Sequence, residues 1–551
     1  MLAAASLVAG FIVGARSEPA SLRAGRSFAR AWERGDHEAM YELLTDDAKT
    51  RTNGSAFVAD YRRDAATATL VGIHVLHVRR AAGGVELDVA ARTRAFGSVR
   101  APLMLPATGG KIDWRPSMTF PGVPPGATLS RRTAAPQRAD ILARDGRVIV
   151  TGPAGARTEP LGAVAQSVAG DLGPPATQAD SDRLYARGFP AGTLVGVSGL
   201  ERLADDRAAG RPGGLLFAGG HVLASTRPRP ARPVRTTIDL GLQQAAVTAL
   251  AGRYGGAVAL DPRTAEVRAL AGIAFSGPQP PGSTFKLVTA SAVLEAHLAK
   301  LSTPFPVETK AVIDGVDLEN ANGESCGGTF AQSFARSCNS VFAPLGVKVG
   351  AKRLVSMAER YGWNHSPGLA GALPSTIPPA SEITSPLAVG STAIGQGKVL
   401  ATPLQLASVA QTIAAGGVRT LPTVFPGEPR KRTRVIPRRL ADELEQLMIG
   451  VVAYGTGTSA NLSPVKVAGK TGTAELTTTV KPDTGTQQAP PPTQGVKAKP
   501  PGFDTDAWFT AYAPVRRPKI VACVLVVHGG AGGSTAAPAA RGILQAGLAA
   551  G

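Results

Sequence analysis

The chain has 551 residues, 44% hydrophobic and 18% charged, so it can bury sizeable cores and is not globally disordered. Its 65 glycines and 44 prolines follow no Gly-X-Y period, which excludes a collagen-like fibre, and three cysteines are too few for a disulfide scaffold. Lys and Arg total 59 against 40 Asp and Glu, a net charge of +19 that suits polyanions (nucleic acid, anionic lipid headgroups, an anionic wall) and equally suits an Arg-rich solvated surface. No Cys-x-x-Cys or His-Glu-x-x-His run is present, and no metal site is expected.

Residues 1–16 are apolar apart from Ser6 until Arg16 ends the run. The run is shorter than the roughly 20 residues of a spanning helix, and no positive segment precedes it, so it reads as the remainder of a membrane anchor on an exported chain. Residues 17–127 form a small α+β unit. Leu22, Phe28, Ala31 and Trp32 fall near helical spacing, Gly35-Asp36 interrupts the pattern, and from about residue 67 alternating β-branched residues predict strands around a Gly83-Gly84 turn. Trp32 and Trp114 are core candidates; His74 and His77, three apart in a strand pattern, face opposite ways and make no metal pair. Residues 128–232 are less regular and predict an extended pedestal with little core of its own. From 233 to 551 a larger domain follows: a hairpin at 256–271, a long apolar helix from Ser283 to about residue 298, helical patterns to about 460, and strands at 465–475, 508–513 and 520–528. The Thr/Pro/Gln-rich stretch 477–506 predicts a flexible, disordered insertion between two of these strands.

Three short runs carry chemistry: Ser283-Thr284-Phe285-Lys286, Ser337-Cys338-Asn339 and Lys470-Thr471-Gly472-Thr473. Each alone is common; their order and the separations of 54 and 133 residues are not. Pro281-Gly282 places Ser283 at a helix N-terminus, where free N–H groups favour developing negative charge. Lys286 lies three residues on, within reach of the Ser283 hydroxyl on the same face. It is the only charge before Glu295 in an apolar run, and desolvation there lowers a lysine pKa and makes it a base. An unactivated serine needs such a base. Gly455-Thr456-Gly457 is no dinucleotide loop, since no strand–helix unit with a later acidic residue surrounds it; it reads as a turn near the site.

On these runs the chain resembles a class B penicillin-binding protein, a D,D-transpeptidase of peptidoglycan synthesis. Residues 255–262 (Gly-Gly-Ala-Val-Ala-Leu-Asp-Pro), Ala393-Ile394-Gly395-Gln396-Gly397, Thr402-Pro403-Leu404-Gln405, Gly455-Thr456-Gly457-Thr458 and Ala507-Trp508-Phe509 extend the resemblance over 233–551. Val197-Ser198-Gly199-Leu200-Glu201 is similar to the family's pedestal or dimerisation module, and 112–117 with Phe120-Pro121 to the end of an NTF2-like domain. The resemblance implies a multidomain α+β chain: an NTF2-like N-terminal domain, the pedestal, and a transpeptidase fold of antiparallel sheet flanked by helices, with no transglycosylase domain. It implies that Ser283 is acylated, Lys286 is its base, Ser337 relays a proton to the leaving amine, Asn339 orients Lys286 and the substrate amide, and Lys470 sets the site's electrostatics. Thr471, Gly472 and Thr473 would bind the substrate carboxylate, and the N–H groups of Ser283 and Thr473 would form an oxyanion hole. The implied partners are peptidoglycan stem peptides, their lipid-linked precursor, β-lactam antibiotics and a membrane glycan polymerase, with no nucleic acid and no cofactor. The chain would sit in the cell membrane by a single-pass anchor, its catalytic domain outside the cytoplasm.

Two other classes share the three runs: a β-lactam-hydrolysing or β-lactam-sensing protein, and a non-catalytic scaffold for a glycan polymerase. The former needs a water-activating group that the sequence does not display. Two readings of the cysteines also stay open. On an exported chain Cys326, in a flexible Gly-rich run, can bridge Cys338, while Cys523 lies in an apolar strand as a buried thiol; alternatively Cys338 is a small buried residue and Cys326 a free thiol.

Overall fold

The computed structural model describes residues 18–475 and 505–550. The anchor expected at 1–16 lies outside them, as does the insertion expected at 477–506 except for its last two residues, which already belong to a strand. No helix among the described residues is long and apolar enough to cross a membrane.

The N-terminal unit opens with α1 (Ala20–Arg34), α2 (His37–Glu42), α3 (Asp46–Arg51) and α4 (Gly54–Ala68). Gly35 stops α1 with φ 68°, and Asp36, Thr45 and Asn53 cap the next three helices by accepting from Ala39, Ala48 and Ala56 N–H. They pack on an antiparallel sheet of β1 (Leu70–Ala81), β2 (Gly84–Thr93), β3 (Ser98–Thr108) and the short β4 (Lys111–Ile112). Alternation along β2 buries Val85, Leu87 and Val89 against Phe28, Trp32, Phe57, Tyr61 and Trp114, and Ala91 against Ala68 and Phe96. Trp114 Nε1 donates to Tyr61 Oη at 3.2 Å, so the indole is buried with its polar edge satisfied.

The middle region is more regular than its sequence pattern predicts. β5 (Leu129–Ala134) pairs with β6 (Gly213–Ala218), which pairs with β7 (His221–Thr226), a sheet closed across some eighty intervening residues that no local signal reveals. Its buried side chains belong to neighbouring cores. Leu129, Leu216 and Ala218 pack with Ala68, Phe96 and Phe120, whereas Ile141, Ile149 and Leu200 join the core of the C-terminal domain. Arg131 ties the first junction: it donates to the carbonyls of Ala66, Thr67 and Tyr185, with its guanidinium 3.5 Å from the Tyr185 ring centre.

The C-terminal domain is built on a five-stranded antiparallel sheet. In chain order its main elements are α5 (Leu240–Leu250), β8 (Gly255–Leu260), β9 (Val267–Gly272), α6 (Lys286–Glu295), α7 (Phe330–Ala335), α8 (Asn339–Val349), α9 (Pro403–Ala414), α10 (Arg438–Ala453), β10 (Ala468–Glu475), β11 (Thr505–Ala513), β12 (Ile520–Val526) and α11 (Ala536–Ala549). The strand order is β9-β8-β12-β11-β10, with β10 at the edge. Ala257, Ala259 and Val524 face α5 and α11, while Val258, Leu260 and Leu525 face α6 and α9, as a period of two requires. Every residue of α6 from Lys286 to Leu294 is buried, which makes it the central helix. The helix expected from Ser283 to about 298 is shorter: Gly282–Phe285 is a 3₁₀ turn, and the α-helix runs only from Lys286 to Glu295. The strand expected at 465 begins at Ala468, and α11 had no counterpart in the sequence pattern because its packed face is largely alanine.

In the middle region Glu201, 1% exposed at its side chain, takes Arg138 Nε and Arg157 Nε at 2.7 Å each, and Arg138 also pairs with Asp205. Three charges buried together are tolerable only as a set. Glu201→Ala leaves two buried guanidiniums without their shared carboxylate and is expected to lower stability by about 3–5 kcal/mol in urea denaturation. A change within about 0.5 kcal/mol would show that the cluster is not what joins these segments.

Candidate active site

The Ser283 turn sits against edge strand β10 because three glycines permit it. Gly282 has φ 50° and its N–H donates to Gly395 O at 3.0 Å; a Cβ there would lie 2.6 Å from Thr473 O. A Cβ at Gly395 would meet Gly282 O at 2.0 Å, and one at Gly472 would meet Pro281 O at 2.8 Å. Trp508 Nε1 donates to Pro280 O at 2.8 Å and pins the entry to the turn. Ser283 is half-buried.

Lys286, fully buried, reaches from the first position of α6 to the loop between α7 and α8. Its Nζ donates to Ser337 O at 2.7 Å and Asn339 Oδ1 at 2.6 Å, and lies 3.3 Å from Ser337 Oγ. Asn339 Nδ2 donates to Glu319 O at 2.6 Å, which fixes the amide so that its oxygen faces the lysine. Lys470, also fully buried, donates to Ser337 Oγ at 2.9 Å and to Thr471 O at 3.0 Å. The Ser337 hydroxyl therefore lies between two lysine amines. Ser337 itself has φ 63°, a conformation uncommon for a residue with a Cβ. Phe342 lies under Lys286 and Phe334 under Lys470, with ring centres 5.6 and 5.5 Å from the amines.

Burial, reinforced by the neighbouring charge of Lys470, holds the Lys286 amine well below the ordinary lysine range. Burial alone brings Lys470 down to about 7. A neutral amine at Lys286 can still donate to Ser337 O and Asn339 Oδ1, leaving its lone pair to take a proton.

The structure brings Ser283, Lys286, Ser337, Asn339, Lys470, Thr471, Gly472 and Thr473 to one site. One expected contact differs: among the described residues no hydrogen bond joins Ser283 Oγ to Lys286, whose donors are directed at Ser337 and Asn339. The 3₁₀ turn between them accounts for this, since it offsets Ser283 from the ideal helical face. Sequence reasoning also missed several supports. Thr456 Oγ1 hydrogen-bonds Thr471 Oγ1 while its N–H donates to Ala335 O, and Gly532 N–H donates to Thr473 Oγ1. Only the Gly455-Thr456-Gly457-Thr458 run offered a signal for any of these.

Residues 255–545 match the penicillin binding protein transpeptidase domain family. The chain belongs to that family. It is 32% identical over 307 residues to the peptidoglycan D,D-transpeptidase PbpA of Mycolicibacterium smegmatis, covering 50% of this chain and 56% of that protein. It is 27% identical over 420 residues to the peptidoglycan D,D-transpeptidase MrdA of Haemophilus influenzae, covering 64% and 62%. The match thus spans little more than half the length of these curated relatives. Among solved structures, penicillin-binding protein A of M. tuberculosis as a ceftriaxone acyl-enzyme complex is 26% identical with a TM-score of 0.57, over 75% of this chain and 98% of that one. The D,D-transpeptidase domain of a peptidoglycan glycosyltransferase from Eggerthella lenta is 26% identical with a TM-score of 0.59, over 76% and 99%.

Cys326 and Cys338 form a disulfide with Cα atoms 5.5 Å apart, and Cys523 is a buried free thiol. The bridge joins the strand Cys326–Thr329 to the residue between Ser337 and Asn339. It spans a sequence separation of 12, so the chain-entropy account gives it about 3 kcal/mol. The unreduced, unfolded protein should titrate one thiol, and Cys326→Ser should lower stability by about that amount; three titratable thiols would show that the bridge does not form.

Proposed function

We propose that this family member is a peptidoglycan D,D-transpeptidase that cross-links stem peptides through an acyl-enzyme on Ser283. The observation that carries the reading is the pair of buried lysines facing one serine hydroxyl beside the Ser283 turn. Neutral Lys286 is the base for Ser283 Oγ as it attacks the penultimate D-Ala carbonyl, a contact that forms as substrate closes the site. The N–H groups of Ser283 and Thr473 take the developing oxyanion. As the tetrahedral species collapses, the C–N bond breaks, and the proton taken by Lys286 passes through Ser337 to the departing D-Ala amine. An amine of a neighbouring stem peptide then attacks the ester carbonyl, loses its proton by the same route, and releases Ser283. Charged Lys470 holds the site positive for the substrate carboxylate, which Thr471 and Thr473 receive. A β-lactam, as a mimic of the D-Ala-D-Ala end, acylates the same serine.

The same proposal covers the rest of the chain. Helices packed on the sheet β1–β4 support an NTF2-like N-terminal domain, and the Arg138–Glu201–Arg157 cluster supports a pedestal that sets its distance from the catalytic domain. The apolar segment at 1–16 supports a membrane tether, and the disulfide an oxidising compartment outside the cytoplasm. A membrane glycan polymerase is the partner that would supply strands to such a tethered transpeptidase, and lipid-linked precursor the material.

Intact-mass analysis after incubation with a penicillin should show one adduct, lost in Ser283→Ala, that persists for many minutes; rapid turnover would favour a hydrolase. Lys286→Ala should slow acylation by about 10²–10⁴ or more while the protein stays folded. The pH dependence has a definite sign. Acylation needs neutral Lys286, so it rises as pH passes the lowered Lys286 pKa, and it needs charged Lys470, so it falls above about 7. Lys470→Ala removes the positive neighbour, so the acid limb should move to higher pH; an unmoved limb would contradict the assigned coupling.

A further inference from the structure

We infer that the C-terminal domain carries a second binding site, remote from Ser283, for an anion bearing two or more phosphate groups. At the end of the sheet where the β8–β9 and β11–β12 turns lie, next to the start of α5 and the last turn of α11, there is a hollow of about 880 Å³. Of its sixteen lining residues six are Arg or Lys, against 59 among the 551 of the chain, so the charge here exceeds what an Arg-rich composition scatters at random. The six come from separate segments: Arg144 from the middle region, Arg263 and Arg268 from the β8–β9 hairpin, Arg432 from the short strand Arg432–Arg434, and Arg517 and Lys519 from the turn before β12.

The two carboxylates among the lining residues, Asp239 and Asp261, offset only part of this charge. Asp239 is engaged as the cap of α5, its Oδ1 accepting from Gly241 and Leu242 N–H. Asp261 accepts from Arg263 and Thr264 N–H through Oδ1 and pairs with Arg268 through Oδ2. Arg268 is spoken for by Asp261 and Glu266. The other five cations have no side-chain hydrogen bond or ion pair among the described residues. The carbonyl end of α11 at Gly547 and Ala550 adds a partial negative charge, too small to offset five whole ones.

Five unpaired cations around a concavity focus a positive potential, and guanidinium forks match phosphate oxygens two at a time. The size of the hollow and the spread of its cations favour an oligophosphate over a single small anion. A diphosphate-bearing soluble molecule and a cluster of phosphate headgroups offer the same chemistry, and the test separates them.

Inorganic pyrophosphate and tripolyphosphate are titrated against the full chain by calorimetry at fixed ionic strength, alongside vesicles of phosphatidylcholine with and without phosphatidylglycerol. The expected result is saturable binding, tripolyphosphate tightest and orthophosphate weakest. Arg263→Ala/Arg517→Ala/Lys519→Ala should weaken it at least tenfold, while Arg263→Lys/Arg517→Lys keeps most of it. Penicillin acylation, which these exposed residues do not touch, should be unchanged in both variants and reports that the fold is intact. If the variants lose vesicle binding and pyrophosphate never saturates, the phosphates are those of lipid headgroups. Binding that is equal in the triple variant and wild type, or absent in both arms, overturns the site. Failure of Ser283 to acylate would instead strike the transpeptidase reading and leave this one standing.

Discussion

The catalytic domain depends on one constraint: two lysine amines are buried side by side, and among the described residues neither has a carboxylate partner. A buried ammonium without a counter-charge is so costly that the group gives up its proton or finds every hydrogen bond it can. Lys286 does both. Its three acceptors belong to Ser337, in the loop between α7 and α8, and to Asn339, the first residue of α8, so the solvation of the amine and the position of that segment are one requirement. Ser337 tolerates a left-handed backbone because its carbonyl and hydroxyl are held by the lysines and its neighbour by the disulfide. Removing any one of these contacts leaves the others directed at nothing.

The second requirement is close approach. A nucleophile on the 3₁₀ turn that leads into the central helix and a binding strand at the sheet edge have to lie within a few ångströms without side chains between them. Glycines 282, 395 and 472 provide that gap, each with a backbone atom in the place where a Cβ would stand. Gly532 repeats the device on the far side of β10, where a Cβ would lie 2.3 Å from Gly472 O. The strand is therefore gripped between two glycine-lined segments, which holds Thr471 and Thr473 in register with Ser283.

These features differ in how far they could be read from sequence. The three catalytic runs and the β8–β9 hairpin were legible because the chemistry restricts residue type at short range. The apolar setting of Lys286 foretold its low pKa for the same reason. The offset between Ser283 and Lys286 was not legible, because a 3₁₀ turn and a first helical turn share the same spacing pattern. Nor was the role of Thr456, which acts through Ala335 and Thr471, residues far from it in the chain. The middle sheet stayed hidden because β5 and β6 are separated by some eighty residues, and strand pairing at that range leaves no periodicity.

The middle region also shows why so little core suffices there. A segment that buries its apolar residues in the cores on either side cannot unfold without exposing both, so its stability derives from its neighbours. Arg131 at the junction with the N-terminal unit and Glu201 within the middle region are the polar counterparts of that arrangement: each satisfies several buried groups from different segments at once. Such joints resist bending more than an exposed linker of the same length would, because moving either one strands buried carbonyls or guanidiniums. Displacing the N-terminal unit from the middle region would therefore have to break the Arg131 contacts and open their shared apolar cluster at the same time.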